Sequence, residues 1–240
     1  MDKSTAIRKN SPRKSGVTTE SRAVRESTLN QARRSLILDA ARSAFFELGL
    51  DGASLREIAK RAGYTPGAIY SYFTNLEEIY GALLGESLQR LNQAVEAAEG
   101  YGGSSTAIDL LRAKAEAFYV FYRDHPKELD LGFYLFDGMK PRGLTPELNH
   151  ELNEQLMAAL RPVQLQLEAQ GLSSEQAVIE TSALFAHIVG VLVLHNTGRI
   201  RLFKQNPDQL FERYMVSLVR HLPATLASTA AMPWKRPLTP

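Results

Sequence analysis

The chain has 240 residues, of which 44% are hydrophobic and 22% charged, with a formal net charge of +2. These proportions are ordinary for a soluble globular protein and exclude disorder throughout, and the length allows one or two domains. Cysteine is absent, which excludes disulfides and thiolate zinc sites. The longest apolar run, at 188–194, is too short to span a bilayer, and the N-terminus lacks the apolar stretch of a secretory signal. We therefore expect a cytoplasmic protein without a membrane anchor.

Positive charge is concentrated at the N-terminus. Residues 1–35 contain nine Lys or Arg against three acidic residues, a net of +6, so the rest of the chain carries a net of −4. Residues 1–31 are polar and show no apolar periodicity, so we predict a disordered basic arm. Such an arm favours a polyanion partner near the N-terminus, and the alternative is a solvated tail that aids solubility.

Two predicted helices precede a sharp turn. The first has apolar residues every three or four positions from Leu36 onward, and Gly49 is a natural left-handed cap for its end. Ser54 is a good N-cap for the second helix, and Glu57 three residues later predicts a capping box. The second helix is expected to stop at AGYTPG, where glycine and proline prevent a continuous helix.

A short third helix follows this turn. Thr65 is its predicted cap, Pro66 takes its first position, and it is expected to run to about Phe73. On a helical wheel Ile69 and Phe73 fall together and are expected to face the core. The opposite side carries small side chains flanked by two tyrosines: Gly67, Ala68, Ser71, Tyr70 and Tyr72. That side can approach another surface closely and offers hydroxyls that bond phosphate oxygens.

A tight turn before a short helix with a small-residue face is typical of a helix-turn-helix, whose second helix enters the DNA major groove. Ser54 and Arg56 are placed to meet the DNA backbone or a base edge, and Lys60 and Arg61 add positive charge. The alternative is that AGYTPG is only a corner between helices, which all-α proteins also need.

The rest of the sequence also predicts helices. A long fourth helix, capped by Thr74 or Asn75, reaches a glycine-serine loop at 100–105 that we interpret as a domain boundary. Further helical segments are predicted at 108–122, 127–139, 146–170 with a kink at Pro162, 174–196 and 208–222. No segment alternates convincingly as a strand and no internal repeat is found, so the predicted fold class is all-α.

The run LREIAKRAGYTPGAIYSYFTNLEEIYGALL, preceded by ILDAARSAFFELGLDGAS, resembles the N-terminal DNA-binding domain of the tetracycline-repressor (TetR) family of bacterial regulators over about residues 33–84. By position, the resemblance implies DNA contacts from Ser54, Arg56, Thr65, Pro66, Gly67, Ala68, Tyr70, Ser71 and Tyr72. One position departs from the family pattern: the usual lysine that touches a phosphate is replaced by Leu76. Loss of one phosphate contact should reduce the salt slope by about 0.9, unless the basic arm or the start of the fourth helix compensates.

The resemblance also implies a homodimer, a larger helical domain with a small-molecule pocket, and repression that the ligand relieves. We accordingly predict four regions: a disordered basic arm at 1–31, a helix-turn-helix DNA-binding domain at 32–92 with its motif at 54–73, a helical ligand-binding and dimerisation domain at 106–222, and a loose tail at 223–240.

The predicted dimer interface uses the helix at 174–196, which is apolar all round and has Ala183, Ala186 and Gly190 at spacings that admit a second helix. The apolar face of 208–222 would complete a four-helix interface. The alternative is that both helices are core.

Aromatic and soft apolar residues of the second domain favour an apolar effector, although each one is also explained as core. The candidate ligand contacts are Phe118, Tyr122, Phe133, Tyr134, Phe136, Met157, Phe185 and His187, and Met139 adds to the same apolar surface. Glu180, His187 and His195 could assist a metal-bound ligand, but neutral histidines bonded to backbone carbonyls are the simpler interpretation. We therefore expect neither a metal nor a cofactor.

No GxSxG, HExxH, GxxxxGK[ST] or GxGxxG run is present, so we predict that the protein is not an enzyme. The predicted function is a ligand-responsive repressor that binds a palindromic DNA operator as a homodimer. A first alternative is a helical ligand-binding or scaffold protein with a vestigial DNA module, motivated by Leu76 and the near-neutral charge of residues 33–80. A second is a DNA-binding activator that needs no ligand.

Overall fold

A computed structural model describes residues 16–103, 106–133 and 144–223 of the chain, without the side chains of 16–21, 50, 51 and 101. Within these ranges the protein is helical and contains no β-strand. Its α-helices are α1 (Gly16–Gly52), α2 (Leu55–Ala62), α3 (Pro66–Ile69), α4 (Leu76–Ala97), α5 (Ala107–Asp124), α6 (Pro126–Phe133), α7 (Pro146–Ala169), α8 (Ser174–Asn196) and α9 (Pro207–Arg220). Residues 1–15 of the predicted arm, most of the predicted tail (224–240), and Tyr134, Phe136 and Met139 lie outside the described residues.

The N-terminal helices form the predicted three-helix unit. Ile37, Ala41 and Phe45 of α1 are fully buried, and Ile58 of α2 and Ile69 of α3 are buried with them. Because these side chains repeat every three to four residues, each helix turns one apolar face to a shared core. The prediction of this unit from apolar periodicity is confirmed.

The first helix is longer than the sequence predicted. Instead of beginning after the predicted arm at 1–31, α1 begins at Gly16, so the predicted disorder of residues 16–31 is wrong for the helix backbone. Every side chain described from Arg22 to Leu36 is exposed. An exposed helix needs no apolar stripe, which is why periodicity gave no signal there. Gly49 leaves the helical conformation with φ 70° and ψ 178°, as expected of a glycine that ends the regular helix.

Two local predictions for α2 and α3 need correction. The Ser54 hydroxyl accepts the backbone N–H of Glu57 at 3.2 Å, but the Glu57 carboxylate binds Arg61 at 2.8 Å, so the cap is one-sided. The regular part of α3 ends at Ile69 instead of Phe73. The chain then continues as a turn, in which the N–H groups of Tyr72 and Phe73 both donate to the Ile69 carbonyl. Phe73 nevertheless stays buried beside Ile69, as predicted.

Helix α4 joins the N-terminal helices to the rest of the protein. Asn75 caps it by accepting the Glu78 N–H at 2.8 Å. Gly81 lies in van der Waals contact distance of Leu148 of α7, because glycine leaves no side chain between the two helices. The buried side chains form one continuous cluster from Ile37 to Leu222. The larger helical layer is built by α4, α5, α7 and α8, and α7 runs through Pro162.

Helix α8 has the predicted bounds, and Ser173 with Gln176 forms a capping box at its start. The run at 188–194 is short, but the whole helix is long and apolar enough to cross a membrane by length and composition alone, with a hydropathy of 2.0 over 18 residues. Core helices of soluble proteins also meet this criterion. One face of α8 packs inside the chain, and 33% of that window is buried.

The apolar face of α9 lies against its own chain. Phe211 stacks on Tyr119 of α5 with ring centres 4.4 Å apart, and Met215 and Leu218 are buried. Phe211, Met215 and Leu218 are therefore core, in agreement with the alternative interpretation, and a role of α9 in a dimer interface stays a prediction. The ring stack and its buried neighbours fix α9 on the body of the protein.

Candidate nucleic-acid interface and ligand site

The α2–α3 turn is held by backbone geometry. Gly63 adopts the left-handed conformation (φ 72°, ψ 26°) and its N–H bonds the carbonyls at the end of α2. The Thr65 hydroxyl then accepts the Ala68 N–H at 3.3 Å and starts α3, with Pro66 in the first turn. These interactions fix the direction of α3 relative to α2, so the outer side of α3 is presented at a defined angle.

That outer side is exposed and nearly free of bulky side chains. Gly67 and Ser71 are exposed, and a Cβ atom added to Gly67 would meet no atom within 4 Å. Tyr70 is 58% exposed beside them. The buried Ile69 and Phe73 hold the other side of the same segment in the core. The segment therefore offers a flat surface backed by a rigid core, which is the shape that a DNA groove admits.

Donors flank this surface on the α2 side. An open cleft of about 600 Å³ lies on that side. It is lined by Ser54, Arg56, Glu57, Lys60, Tyr64, Thr65 and Pro66. Arg56 and Lys60 are exposed, so their positive charges are available to an anion. Arg61 is not available in the same way, because its guanidinium binds Glu57, Glu47 and the Ser43 hydroxyl. Its predicted role as free positive charge is corrected to a tie between α1 and α2.

Arg33 and Arg34 were missed by the sequence interpretation except as part of the net charge. Interaction with Tyr72 raises the pKa of Arg33. The Arg34 guanidinium lies 4.6 Å from the centre of the Phe73 ring. The sequence did contain a signal for both arginines, because they lie about one helical turn before Ile37, the first core residue of α1. A helix extended backward from Ile37 would have placed them near the third helix.

Leu76 does not offer a phosphate contact. Its side chain is partly buried against the hydrophobic core at the start of α4. The Glu78 carboxylate accepts the Thr74 N–H at 2.7 Å, and Asn75 accepts the Glu78 N–H. The start of α4 thus carries its own acceptors and two acidic side chains, Glu77 and Glu78. These two carboxylates place negative charge at the start of α4, which opposes phosphate binding there.

The predicted ligand residues separate into groups. Four of them form a closed set of ring contacts: Phe118 with Tyr122 (5.3 Å between ring centres), Phe118 with Phe185 (5.9 Å), Tyr122 with Phe133 (5.9 Å), and Phe133 with Phe185 (5.7 Å). We call Phe118, Tyr122, Phe133 and Phe185 the ring cluster. It joins α5, α6 and α8. Met157 lies outside it, 54% exposed on α7.

His187 also lies away from the ring cluster. Its ring stacks on Tyr214 at 4.2 Å, and its Nε2 is 3.3 Å from the Leu210 carbonyl. Burial lowers the pKa of His187, and the bond to the backbone opposes this shift. No group of three metal-ligating side chains is found in the described ranges. The structure therefore places His187 between α8 and α9, as a packing residue.

Among the described residues, two buried polar atoms have no hydrogen-bond partner. One is the Thr181 hydroxyl, a helical turn before Phe185, and the other is Oε2 of Glu128. Oε1 of Glu128 accepts Arg90 of α4 at 2.6 Å. The Glu128 charge and burial both raise the pKa of Tyr122, with burial the larger cause, so its phenol stays neutral.

A helix-turn-helix headpiece joined through one long helix to a larger helical body defines a class of DNA-binding regulators. Family models agree with it along the chain: residues 37–83 match "Bacterial regulatory proteins, tetR family", and residues 111–218 match "Tetracyclin repressor-like, C-terminal domain". The chain belongs to the TetR family of bacterial transcriptional regulators.

Individual relatives are similar mainly in the headpiece. The HTH-type transcriptional repressor Rv1474c of Mycobacterium tuberculosis is 39% identical over 72 residues, 30% of this chain and 38% of that protein. The HTH-type transcriptional activator FasR of Mycolicibacterium smegmatis is 33% identical over 89 residues, 37% of this chain and 40% of that protein. The chain thus matches about two fifths of the length of these relatives.

Solved structures share the whole architecture. The fatty acid degradation regulator FadR from Bacillus halodurans superposes with a TM-score of 0.59 at 20% identity, covering 80% of this chain and 96% of FadR. At this identity the likeness shows the fold alone. It extends the agreement from the headpiece to the C-terminal helices.

Proposed function

We propose that the protein is a cytoplasmic, ligand-responsive repressor that binds a palindromic operator as a homodimer. The observation that carries this proposal is the outer side of α3, which is exposed and nearly flat while Ile69 and Phe73 hold its inner side. Arg56 and Lys60 on one side, and Tyr70 on the other, supply donors for phosphates and base edges. Insertion of α3 into the major groove uses all of these features at once.

Homodimerisation would use the outward face of α8. Exposed apolar and small residues follow one another there every three to four positions: Ile179, Ala183, Ala186, Gly190 and Leu194. Ile179 is 58% exposed, and Gly190 has open space where a Cβ would stand. A stripe of this kind is stable in water when a second helix covers it. Two subunits paired through α8 would present two α3 helices to half-sites about 34–36 Å apart.

The effector would bind at the ring cluster. Its effect would reach the headpiece through α4, since Arg90 binds Glu128 of α6 and the Tyr80 hydroxyl donates to the Leu131 carbonyl. A ligand that moves Phe133 therefore pulls on α4, and α4 sets the position of α3. Operator affinity falls by as much as the ligand prefers the released state, typically about 1–3 kcal/mol.

A bulky substitution at Gly67 tests the DNA proposal without disturbing the fold. Gly67→Leu points into open space in the free protein and replaces a glycine in a helix, so the melting temperature should stay the same or rise slightly. Its side chain would keep α3 out of the groove and lower operator affinity more than 100-fold. The matched control is Ala97→Leu, the same kind of change on an exposed position at the far end of α4.

Operator DNA for this test is obtained by selection from random duplexes, with affinity measured by fluorescence anisotropy. Equal affinity of Gly67→Leu and Ala97→Leu would overturn the proposed use of α3. If wild type selects no duplex while apolar compounds still raise its melting temperature, the protein is a ligand-binding protein whose DNA module is vestigial. Inward packing of Leu76 and the acidic start of α4 favour that second candidate.

A further inference from the structure

We propose that the cleft between the α1 extension (residues 22–36) and the turn after α3 binds the sugar-phosphate backbone of the operator. This inference rests on the proposed operator binding and assigns to the chain a second DNA-contact surface. The extension precedes residues 37–83, the segment that matches the family model, so it lies outside the shared headpiece.

The cleft has a volume of about 730 Å³ and two walls. Ser71 and Tyr72, beside the proposed groove-reading face, form one wall. The other wall is a single side of the α1 extension, formed by Ala23, Glu26, Ser27, Asn30, Gln31 and Arg34. Apart from Ala23 and Glu26, every lining residue can donate a hydrogen bond to a phosphate oxygen. A strand that leaves the major groove at Ser71 and Tyr72 enters this cleft next.

Arginines set the sign of the charge around the cleft. Residues 22–36 contain Arg22, Arg25, Arg33 and Arg34 against Glu26 alone, a net of +3. Arg34 is held in place by the Phe73 ring, so its guanidinium is positioned before DNA arrives. Arg33 lies next to it in the chain and interacts with Tyr72. Pre-positioned guanidinium groups bind phosphate with less loss of side-chain freedom than flexible ones.

The α1 extension contributes no side chain to the core of the described chain. Its side chains from Arg22 to Leu36 are all exposed, and the core begins only at Ile37. It projects about 22 Å beyond that core residue, at 1.5 Å per residue. A helix of that length spans several phosphates along one strand. The start of α4 carries Leu76 and two glutamates and gives no phosphate contact. The cleft lies beside this part of the headpiece.

Substituting Gln31 tests the cleft directly. Gln31→Glu keeps the size of the side chain and places a negative charge in the cleft. We expect operator affinity to fall about threefold per cleft, and so about tenfold for a dimer, at 0.1 M salt. The slope of log affinity against log salt should also become shallower, by about 0.9 for each phosphate contact that is lost. The matched control is Gln89→Glu, the same change on an exposed position of α4.

A second substitution moves the charge in the opposite direction. Glu26 is the acidic residue of the cleft, so Glu26→Gln should raise operator affinity about threefold or more and steepen the salt slope. Its control is Glu96→Gln, an exposed glutamate near the end of α4. A loss caused by unfolding cannot explain an affinity gain, so this variant keeps the test valid even if Gln31→Glu weakens the helix.

The two substitutions also separate this inference from the proposed function. If wild type selects an operator, but Gln31→Glu and Glu26→Gln bind it with the affinity and salt slope of their controls, the proposed role of the cleft is overturned. Operator binding itself then stays intact. Wild type that binds no duplex overturns the proposed function itself. Opposite shifts of the two variants, with both controls at the wild-type value, support the cleft.

Discussion

The ion pair between Arg90 and Glu128 should respond very differently to removal of one partner or the other. The Glu128 side chain is only 9% exposed, whereas the Arg90 side chain is 44% exposed, at an N–O distance of 2.6 Å. Arg90→Met removes the positive charge and leaves a carboxylate that water cannot reach. Glu128→Gln leaves a guanidinium that water can still solvate, and it removes a buried charge.

These differences give a magnitude for each variant. Two charges about 4 Å apart attract by about 4 kcal/mol at an effective dielectric constant near 20, and partial solvation of Arg90 reduces this to about 3 kcal/mol. Arg90→Met should therefore destabilise by about 3 kcal/mol. Glu128→Gln should cost about 1 kcal/mol, because the lost attraction is offset by the lost desolvation penalty. The double variant should cost about 1–2 kcal/mol, well below the sum.

Urea and thermal unfolding at one fixed protein concentration measure these values. For a chain of this size 1 kcal/mol corresponds to about 2–4 °C in Tm. We expect Arg90→Met to lower Tm by about 6–12 °C and Glu128→Gln by about 2–4 °C. Equal losses for the two single variants, or strictly additive losses in the double variant, would refute the reasoning that the pair is buried on one side only.

Three further predictions concern packing and pH. Gly67→Ala should stabilise by about 0.5–1 kcal/mol in thermal unfolding, because glycine is unfavourable in a helix and a methyl group there meets no atom. Gly81→Ala should destabilise by about 1–3 kcal/mol, because its Cβ would overlap Leu148. A change of the same sign in both variants would contradict the packing. Thr181→Val should leave the ligand-free protein as stable or raise Tm slightly, because the buried hydroxyl has no partner; a loss above about 1 kcal/mol would show an unrecognised hydrogen bond. In the folded protein His187 has a pKa below its unfolded value, so neutral His187 supports stability above about pH 6.5, and this support is lost as pH falls through the folded pKa. His187→Gln should therefore flatten the fall in unfolding free energy between pH 7 and pH 5. An unchanged pH profile would rule this out.

Sequence patterns predicted the parts of the fold that depend on neighbours in the chain. The caps at Ser54 and Thr65 are decided within four residues, and each is found where it was expected. Apolar periodicity likewise placed Ile69 and Phe73 in the core, because one face of an amphipathic helix must be buried.

Other features depend on residues far apart in the chain and gave no local signal. The ion pair of Arg90 with Glu128 joins residues 38 positions apart, and Arg33 meets Tyr72 only because α1 passes beside α3. Periodicity also could not say which partner an apolar face would meet, so α9 was expected at a dimer interface and packs on its own chain. The nine DNA contacts implied by family resemblance stay predictions; seven of these residues are exposed, and Ala68 and Tyr72 are half-buried.

Selection of bound duplexes from a random pool, followed by a count of chains per selected duplex, tests paired major-groove reading most directly. We predict an enriched inverted repeat whose half-sites are centred about 10–10.5 base pairs, or a multiple of that, apart, with an even number of chains on each duplex. Enrichment of no motif, or of a single half-site occupied by one chain, would contradict the account.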